Sequence, residues 1–515
     1  MKRPHSSVVR LSGVVFCAGL AAGLSGCKVG PDFKQPETES PAAFGHTGAD
    51  GTDATKLATG DRPPEVIWWK TLGDPALDGL IDRAVAANYD LKAAQARVRE
   101  ARALRGIVAA DGLPMVDLNA FYDRSKGSEN VGFRRGSGGG SVTVNPGQQQ
   151  DLYQAGFDAS WELDVFGRVA RNVEAADADI QVAENNRRDV LVSLLSETAR
   201  NYVELRGFQQ QLSIARSNID LQEQTVRLTR SRFEAGLTSD LDVSQAEAQL
   251  ASTRSQVPVF DRGVYEAIHR LSVLIGRPPG TLEAELIAPA RIPVPPDQIS
   301  VGIPSELLRR RPDIRRAESD IAGATARIGA ATADLFPRFS ITGSFGVQSD
   351  NFGDFPDATS RFWSIGPAVR WPIFEGGRIR ANIKLQDAKE EQALYQYQQT
   401  VLRAFEEVEN ALVAFTREQD RRRSLSSAVD SNQRAVDLAN QLYSNGLADF
   451  QRVLDSQRAL FLAQDALVGS DRAVTASVIA LYKALGGGWE PFEPDPAAAA
   501  AQKDDGAVQP ETTKQ

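Results

Sequence analysis

Cysteine is almost absent from this chain: its 515 residues hold two, Cys17 and Cys27. Histidine, at three, and methionine, at two, are as scarce. Two cysteines ten residues apart cannot build a disulfide framework. Beyond the N-terminal segment only His46 and His269 remain, far apart, and neither stands at a zinc-site spacing or beside a cysteine. No phosphate-cradling loop is present; Gly136 to Ser141 is glycine-rich, but no strand-to-helix context surrounds it. Isolated carboxylates and lone histidines offer no nucleophile or acid–base constellation, so the chain does not read as an enzyme and no cofactor is expected. Long hydrophobic runs are missing too. The one apolar stretch, Leu11 to Gly26, falls short of the roughly 20 residues a mature membrane helix needs.

That stretch follows Lys2, Arg3 and Arg10 and reads as a secretory signal peptide covering residues 1–26. It ends in Leu24-Ser25-Gly26-Cys27, which resembles a bacterial lipobox, where cleavage leaves a lipid-modified N-terminal cysteine. Cys27 is therefore the expected lipidation site and leaves no thiol for an intrachain disulfide. Removing the three basic residues leaves 55 basic against 67 acidic, a net charge of −12. Such a balance excludes nucleic acid as a natural partner.

What is present is one unit written twice. Trp161-Glu162-Leu163-Asp164-Val165-Phe166-Gly167-Arg168 returns as Trp371-Pro372-Ile373-Phe374-Glu375-Gly376-Gly377-Arg378, 210 positions on. The offset holds without a gap through Asn172 and Asn382, Gly236 and Gly446, and Leu271 and Leu481. Upstream it is 223, pairing Asp111 with Asp334 and Pro114 with Pro337, so the first copy carries 13 extra residues between Pro114 and Trp161.

Residues 27–66 are rich in Pro, Gly, Thr and Asp and read as an extended leader. The first copy spans 67–276. Asp74 and Pro75 open a helix that runs to about Gly112. Strands are expected at about 115–124 and 155–165, where apolar and polar residues alternate, as in Phe157, Ala159, Trp161 and Leu163 against Asp158, Ser160, Glu162 and Asp164. The second copy, 305–488, repeats them at about 338–348 and 363–374. This period fits a transmembrane β-strand or a half-buried soluble hairpin equally; the lipobox and the helices favour the membrane. After each Trp-to-Gly-Arg joint a helical pattern runs from Arg168 to about Phe233 and from Arg378 to Tyr443. Roughly 65 residues at 1.5 Å each make a rod near 100 Å, which indicates coiled-coil packing. Each rod ends at Gly236-Leu237 or Gly446-Leu447, and a shorter helix returns. Residues 277–304 form a Pro-rich linker and 489–515 a polar, alanine-rich tail.

Two strands per copy give four per chain. Four strands leave two edges unpaired in lipid, so several chains must share a barrel. A dimer supplies 8 strands and a trimer 12.

The chain resembles the TolC-like outer-membrane factors, especially their lipidated, OprM- and NodT-like members. The resemblance covers about Cys27 to Trp489. It is carried by Cys27-Lys28-Val29-Gly30-Pro31-Asp32-Phe33, Trp68-Trp69, Asp74-Pro75-Ala76-Leu77, Leu307-Leu308-Arg309-Arg310-Arg311-Pro312-Asp313-Ile314, the two joints, and Val453-Leu454-Asp455-Ser456-Gln457-Arg458. It implies a mostly α fold with a membrane part: a homotrimer with a 12-stranded β-barrel and an α-helical periplasmic tunnel. It also implies efflux of drugs or other small toxic compounds across the outer membrane, with a periplasmic adaptor and an inner-membrane pump as partners. The duct of a type I protein secretion system is the alternative within the family. Gln451, Asp455 and Arg458 share one helix face after the second tip, and by resemblance Asp455 matches an aperture aspartate. Asp242 and Tyr443 match residues that latch neighbouring helices, although Arg452 and Ala448 depart from the pattern. The alternative for these charges is ordinary solvated helix surface.

Overall fold

The computed structural model describes residues 28–41, 44–45, 57–58, 65–128, 149–296 and 299–493. The expected signal peptide, Cys27 and the Gly136–Ser141 loop lie outside the described residues. In the first copy the elements are α1 (Pro75–Ala87), α2 (Tyr89–Ala110), β1 (Met115–Lys126), β2 (Gln149–Leu163), α3 (Arg168–Glu234) and α4 (Asp240–Leu274). In the second they are α5 (Pro304–Arg310), α6 (Pro312–Ala333), β3 (Arg338–Ser349), β4 (Arg361–Arg370), α7 (Arg378–Ser444) and α8 (Phe450–Ala484). The offset of 223 carries α2 onto α6 and β1 onto β3 residue for residue, and 210 carries α3 onto α7 and α4 onto α8. Both long helices have 67 residues and both return helices 35. Among the described residues no helix is long and apolar enough to cross a membrane.

Four boundaries differ from expectation by more than two residues. Strand β2 begins at Gln149 rather than at about 155, because its first residues still pair with β1 as far as Lys126. The helix expected from Asp74 to about Gly112 is two helices, broken at Asn88. Asn88 has ψ 133° and caps α2 by accepting from the Leu91 amide at 3.0 Å, while its own amide donates to the Leu274 carbonyl. An asparagine that caps one helix cannot continue another. The last strand ends at Arg370 rather than 374. Pro372 has no N–H for the ladder, and Arg370 already pairs with Arg338, the first residue of β3. The packed chain also continues to Glu493, past the expected start of the tail: Phe492 stacks on Trp69 at 5.8 Å, and Glu493 pairs with Arg187 and Arg188.

The chain divides into two compact units. One comprises the chain up to Pro36 with Arg99–Gln181 and Glu318–Tyr395. Its centre is a four-stranded antiparallel sheet in the order β1-β2-β3-β4, so β1 and β4 are open edges. One face carries Leu118, Phe157, Phe345, Trp363, Ile365 and Val369, all exposed, Trp363 at 75%. The other carries Asp117, Asn119, Asp158, Glu162, Ser340, Thr342 and Ser364, as the register dictates. Large apolar side chains on an exposed sheet face, with polar ones opposite, mark a face built to meet something other than water. At the joints the duplicated tryptophans make equivalent bonds. Trp161 donates from its indole to the Gly112 carbonyl at 2.9 Å, and Trp371 to the Leu335 carbonyl at 3.0 Å. Gly167 and Gly377 turn into the helices with φ of 76° and 86°, a left-handed conformation that suits glycine.

The other unit comprises Glu37–Val98, Val182–Ala317 and Gln396–Gln515. Its core includes Trp68, Leu77, Leu80, Ile81, Leu195, Tyr202 and Tyr482, each nearly fully buried. Trp68 stacks on Tyr482 at 5.6 Å. Tyr202 donates to Asp74 at 2.6 Å; burial, then that bond, push the phenol up to about 12. The same Asp74 caps α1 through its other oxygen. From Gln211 on, the seam between α3 and α8 carries polar pairs: Gln211 bonds Asp465, Asn218 bonds Gln464, and Gln457 bonds Thr225. Positions 211, 218 and 225 lie seven apart, so they follow one heptad stripe.

Candidate functional site

The tips where α3 turns into α4 and α7 into α8 are built alike. Gly236 and Gly446 both take φ 73°. The Leu237 amide donates back to the Arg232 carbonyl, and Leu447 to Leu442, closing each helix with a left-handed glycine cap. Beneath the second tip Tyr443, Phe450, Val453 and Leu454 bury against Ala246, Ala439 and Val226. This burial fixes the rotation of α8. With Phe450, Val453, Leu454 and Gln457 inside, Gln451, Asp455 and Arg458 must face outward, and all three are exposed. Gln451 donates to Asp455 at 3.0 Å, holding the carboxylate against the helix. Arg458 instead donates to Gln249 of α4 at 2.7 Å, and no ion pair joins it to Asp455.

The two residues matched to a latch make different contacts within the chain. Asp242 is the acidic member of a capping box: it accepts from the Ser239 amide at 3.3 Å and from the Thr238 hydroxyl, while Ser239 accepts from the Asp242 amide. The spacing Ser239-x-x-Asp242 is itself the signal for this role. Tyr443 is 3% exposed, and its hydroxyl has no hydrogen-bond partner among the described residues. The Arg232 guanidinium lies 4.8 Å over its ring and donates to the Ser444 carbonyl at 3.2 Å. Arg232 thus joins the end of α3 to the end of α7, a role sequence spacing does not show.

Two further arginines anchor flanking segments. Arg311 is buried against Asp313 and Glu407 at 2.6 and 2.7 Å and donates to the Ala484 carbonyl. Burial works to lower its pKa, but the bonds and charges of these two carboxylates outweigh burial and hold it above the ordinary value. Arg171, 1% exposed, binds the leader: it donates to the Val29 and Gly30 carbonyls at 3.1 and 3.3 Å and pairs with Asp32 and Glu174. A Cβ at Gly167 would stand 2.9 Å from Lys28 Cα, and one at Gly30 2.5 Å from Gly329 Cα, so glycine permits both approaches. The residues that follow Cys27 are therefore seated on the joint at the start of α3. Among the described residues no cluster of His, Cys, Asp and Glu could hold a metal ion.

A family model described as outer membrane efflux protein matches residues 80–277 and 303–487. The pyoverdine export outer membrane protein OpmQ of Pseudomonas aeruginosa is 33% identical over 423 residues, covering 82% of this chain and 87% of that protein. The toluene efflux pump outer membrane protein TtgF of Pseudomonas putida is 31% identical over 486 residues, covering 93% and 98%. The solved outer-membrane channel OprN superposes with a TM-score of 0.82 at 36% identity, covering 90% of this chain and all of that one.

Proposed function

The chain belongs to the outer membrane efflux protein family, and from that membership we propose that it is one third of a passive exit duct in a tripartite efflux system. The observation that carries the reading is the sheet. One protomer contributes four strands with an apolar face exposed and both edges open. Open edges are not viable in lipid, so the strands must join those of other copies. Three copies give 12 strands, enough for a water-filled lumen. The 67-residue helices then continue the wall on the periplasmic side, and their tips at Gly236 and Gly446 form its far end. There Gln451, Asp455 and Arg458 line the aperture, and Asp242 and Tyr443 take part in latching it. A periplasmic adaptor engages this end and an inner-membrane pump drives the cargo.

The cargo is a class of small toxic or amphipathic compounds, in keeping with relatives named for toluene efflux and pyoverdine export. Residues 1–26 direct secretion, and Cys27 carries a lipid that anchors the mature chain to the outer membrane. The seating of Lys28 to Asp32 on the joint between β2 and α3 supports that placement. Residues 67–276 and 305–488 act as the two repeats, joined by the 277–304 linker.

Two measurements test the function. Purified protein in a planar bilayer should conduct ions, and cells lacking it should accumulate dyes or solvents. Conduction with unchanged accumulation, together with loss of an exported protein, would move the reading to a secretion duct. Absence of conduction would reject a duct of either kind.

A further inference from the structure

Two cross-strand pairs in the sheet break a basic rule. Asp117 on β1 stands directly opposite Asp158 on β2, and Arg338 on β3 directly opposite Arg370 on β4. Like charges facing each other across an antiparallel pair destabilise it. Both pairs lie on the polar face. Each is compensated on one side only. Asp158 accepts from Asn119 at 2.7 Å, and Arg338 pairs with Asp334 at 2.6 Å. Asp117 and Arg370 are exposed, and among the described residues neither forms an ion pair. The two uncompensated charges have opposite sign, and they stand on the two open edges of the sheet.

The duplication says how those edges meet. Within the chain, β2 of the first copy pairs with β3 of the second, with Ser160 opposite Thr342 and Glu162 opposite Ser340. Strand β4 is the 210-shifted equivalent of β2, and β1 the 223-shifted equivalent of β3. Carrying the register across puts Arg370 opposite Asn119 of a second copy. Asp117 of that copy is then the diagonal neighbour of Arg370, at roughly 7–8 Å between Cα atoms, within reach of an arginine side chain. The equivalents of Arg370 and Asp117 at the internal β2–β3 contact are Ser160 and Ser340, which are neutral. The Arg–Asp combination is thus found at the open edges and not at the equivalent positions of the internal contact.

We propose that Arg370 and Asp117 form an ion pair between subunits, closing the barrel by joining β4 of one copy to β1 of the next. The inference rests on the shared-barrel reading above. It adds the partner edge, the register and the chemistry of the seam. Because the charges are opposite, β4 meets β1 favourably, whereas β1 against β1 or β4 against β4 brings like charges together. Only the head-to-tail pairing closes a ring. Each chain's strained like-charge pairs are relieved when the seam forms.

The test uses the full-length lipoprotein in detergent. Asp117→Arg and Arg370→Asp are made singly and together, and trimer lifetime is followed by native electrophoresis during heating. All are made in an Asp158→Asn, Arg338→Gln background, so that a reversal gains no new in-chain partner; each single reversal then places like charges at all three seams and should shorten the lifetime by about tenfold or more. The double exchange should restore it. In parallel, Asn119→Cys with Arg370→Cys should give a covalently closed ring of three chains on oxidation, and neither cysteine alone should. If the wild-type protein is monomeric, the shared-barrel reading fails. If it is trimeric but the double exchange does not rescue and the cysteines do not join, only the proposed seam is wrong.

Discussion

Replacing Arg171 by alanine should free the leader from the body. The guanidinium is buried and makes four kinds of contact: two backbone carbonyls, Asp32 and Glu174. The contacts are not equal. Asp32 has a side chain 84% exposed and Glu174 one 36% exposed, so water takes over most of their share when the arginine is gone. The carbonyl bonds carry the rest. A bond to a charged donor contributes about 1.5–3 kcal/mol, and at 3.1 and 3.3 Å these two sit at the lower end. Together they give about 3 kcal/mol, or roughly a hundredfold in the population of the detached leader. Amide exchange at Val29, whose N–H donates to the Phe166 carbonyl, should speed up by that factor when read by mass spectrometry, while β2 and β3 stay protected. Arg171→Lys keeps the charge but not the fork and should fall between. Unchanged exchange in Arg171→Ala would mean that Gly30 packing and the leader's own extension hold the segment, and that the arginine only fills space.

Cys27→Ser should abolish labelling by fatty acid and leave unprocessed precursor; label entering that variant would refute the lipobox. Asp455→Ala should lower the cation selectivity of the channel and weaken its block by polyvalent cations without changing trimer yield, since alanine preserves the helix. Unchanged selectivity would return Asp455 to ordinary solvated surface. The Glu493 clasp should be sensitive to acid. Burial pushes this carboxyl up, but the bond from Arg188 and the charges of Arg187 and Arg188 outweigh burial, so its folded pKa lies below the ordinary value of 4.5. A depressed carboxylate contributes stability that is present above its unfolded pKa and lost as pH falls through the folded one. Glu493→Gln should therefore melt lower than wild type near neutral pH. The gap should close as pH falls below 4.5 and on through the depressed folded pKa, and a gap that persists in stronger acid would exclude the ion pair as its cause.

The duplication was legible because identical spacing needs no physics to detect, and the helix and strand ends of the two copies then follow each other. The break at Asn88 was harder to see. Alanine and leucine continue on both sides of it, and the residue that stops the helix does so by a capping bond to Leu91 rather than by being proline or glycine. Asp242 carries a second signal: beside the family likeness to a latch, the local pattern Ser239-x-x-Asp242 specifies a cap, and the cap forms within the chain. The buried contacts of Arg171, Arg232 and Arg311 could not be read from sequence. Each bridges segments that are distant along the chain, and an arginine on a helix looks the same whether it faces water or a carbonyl.

Where the two copies differ, the differences fall in a few places. At the tip, the first-copy equivalents of Gln451, Asp455 and Arg458 are Leu241, Gln245 and Ala248. The equivalents of Tyr443 and Asp242 are Phe233 and Arg452, and that of Arg232 is Leu442. Packing does not demand the changes at the triad, because Gln451, Asp455, Arg458 and Leu241 are all exposed. If both tips faced the same surroundings, an exposed Leu241 and an exposed Gln451 would have no reason to differ. In the trimeric duct proposed above, a ring of six similar tips, two per chain, would give them different surroundings if one set bent toward the axis and the other stayed outside. On that proposal the polar triad marks the inner set and Leu241 the outer, where an apolar contact with a partner is useful. Exchanging the sets tests this. Leu241→Gln with Gln245→Asp and Ala248→Arg should leave ion selectivity unchanged, whereas Gln451→Leu with Asp455→Gln and Arg458→Ala should remove it. Equal effects from both exchanges would show that the tips are equivalent and that the aperture uses all six.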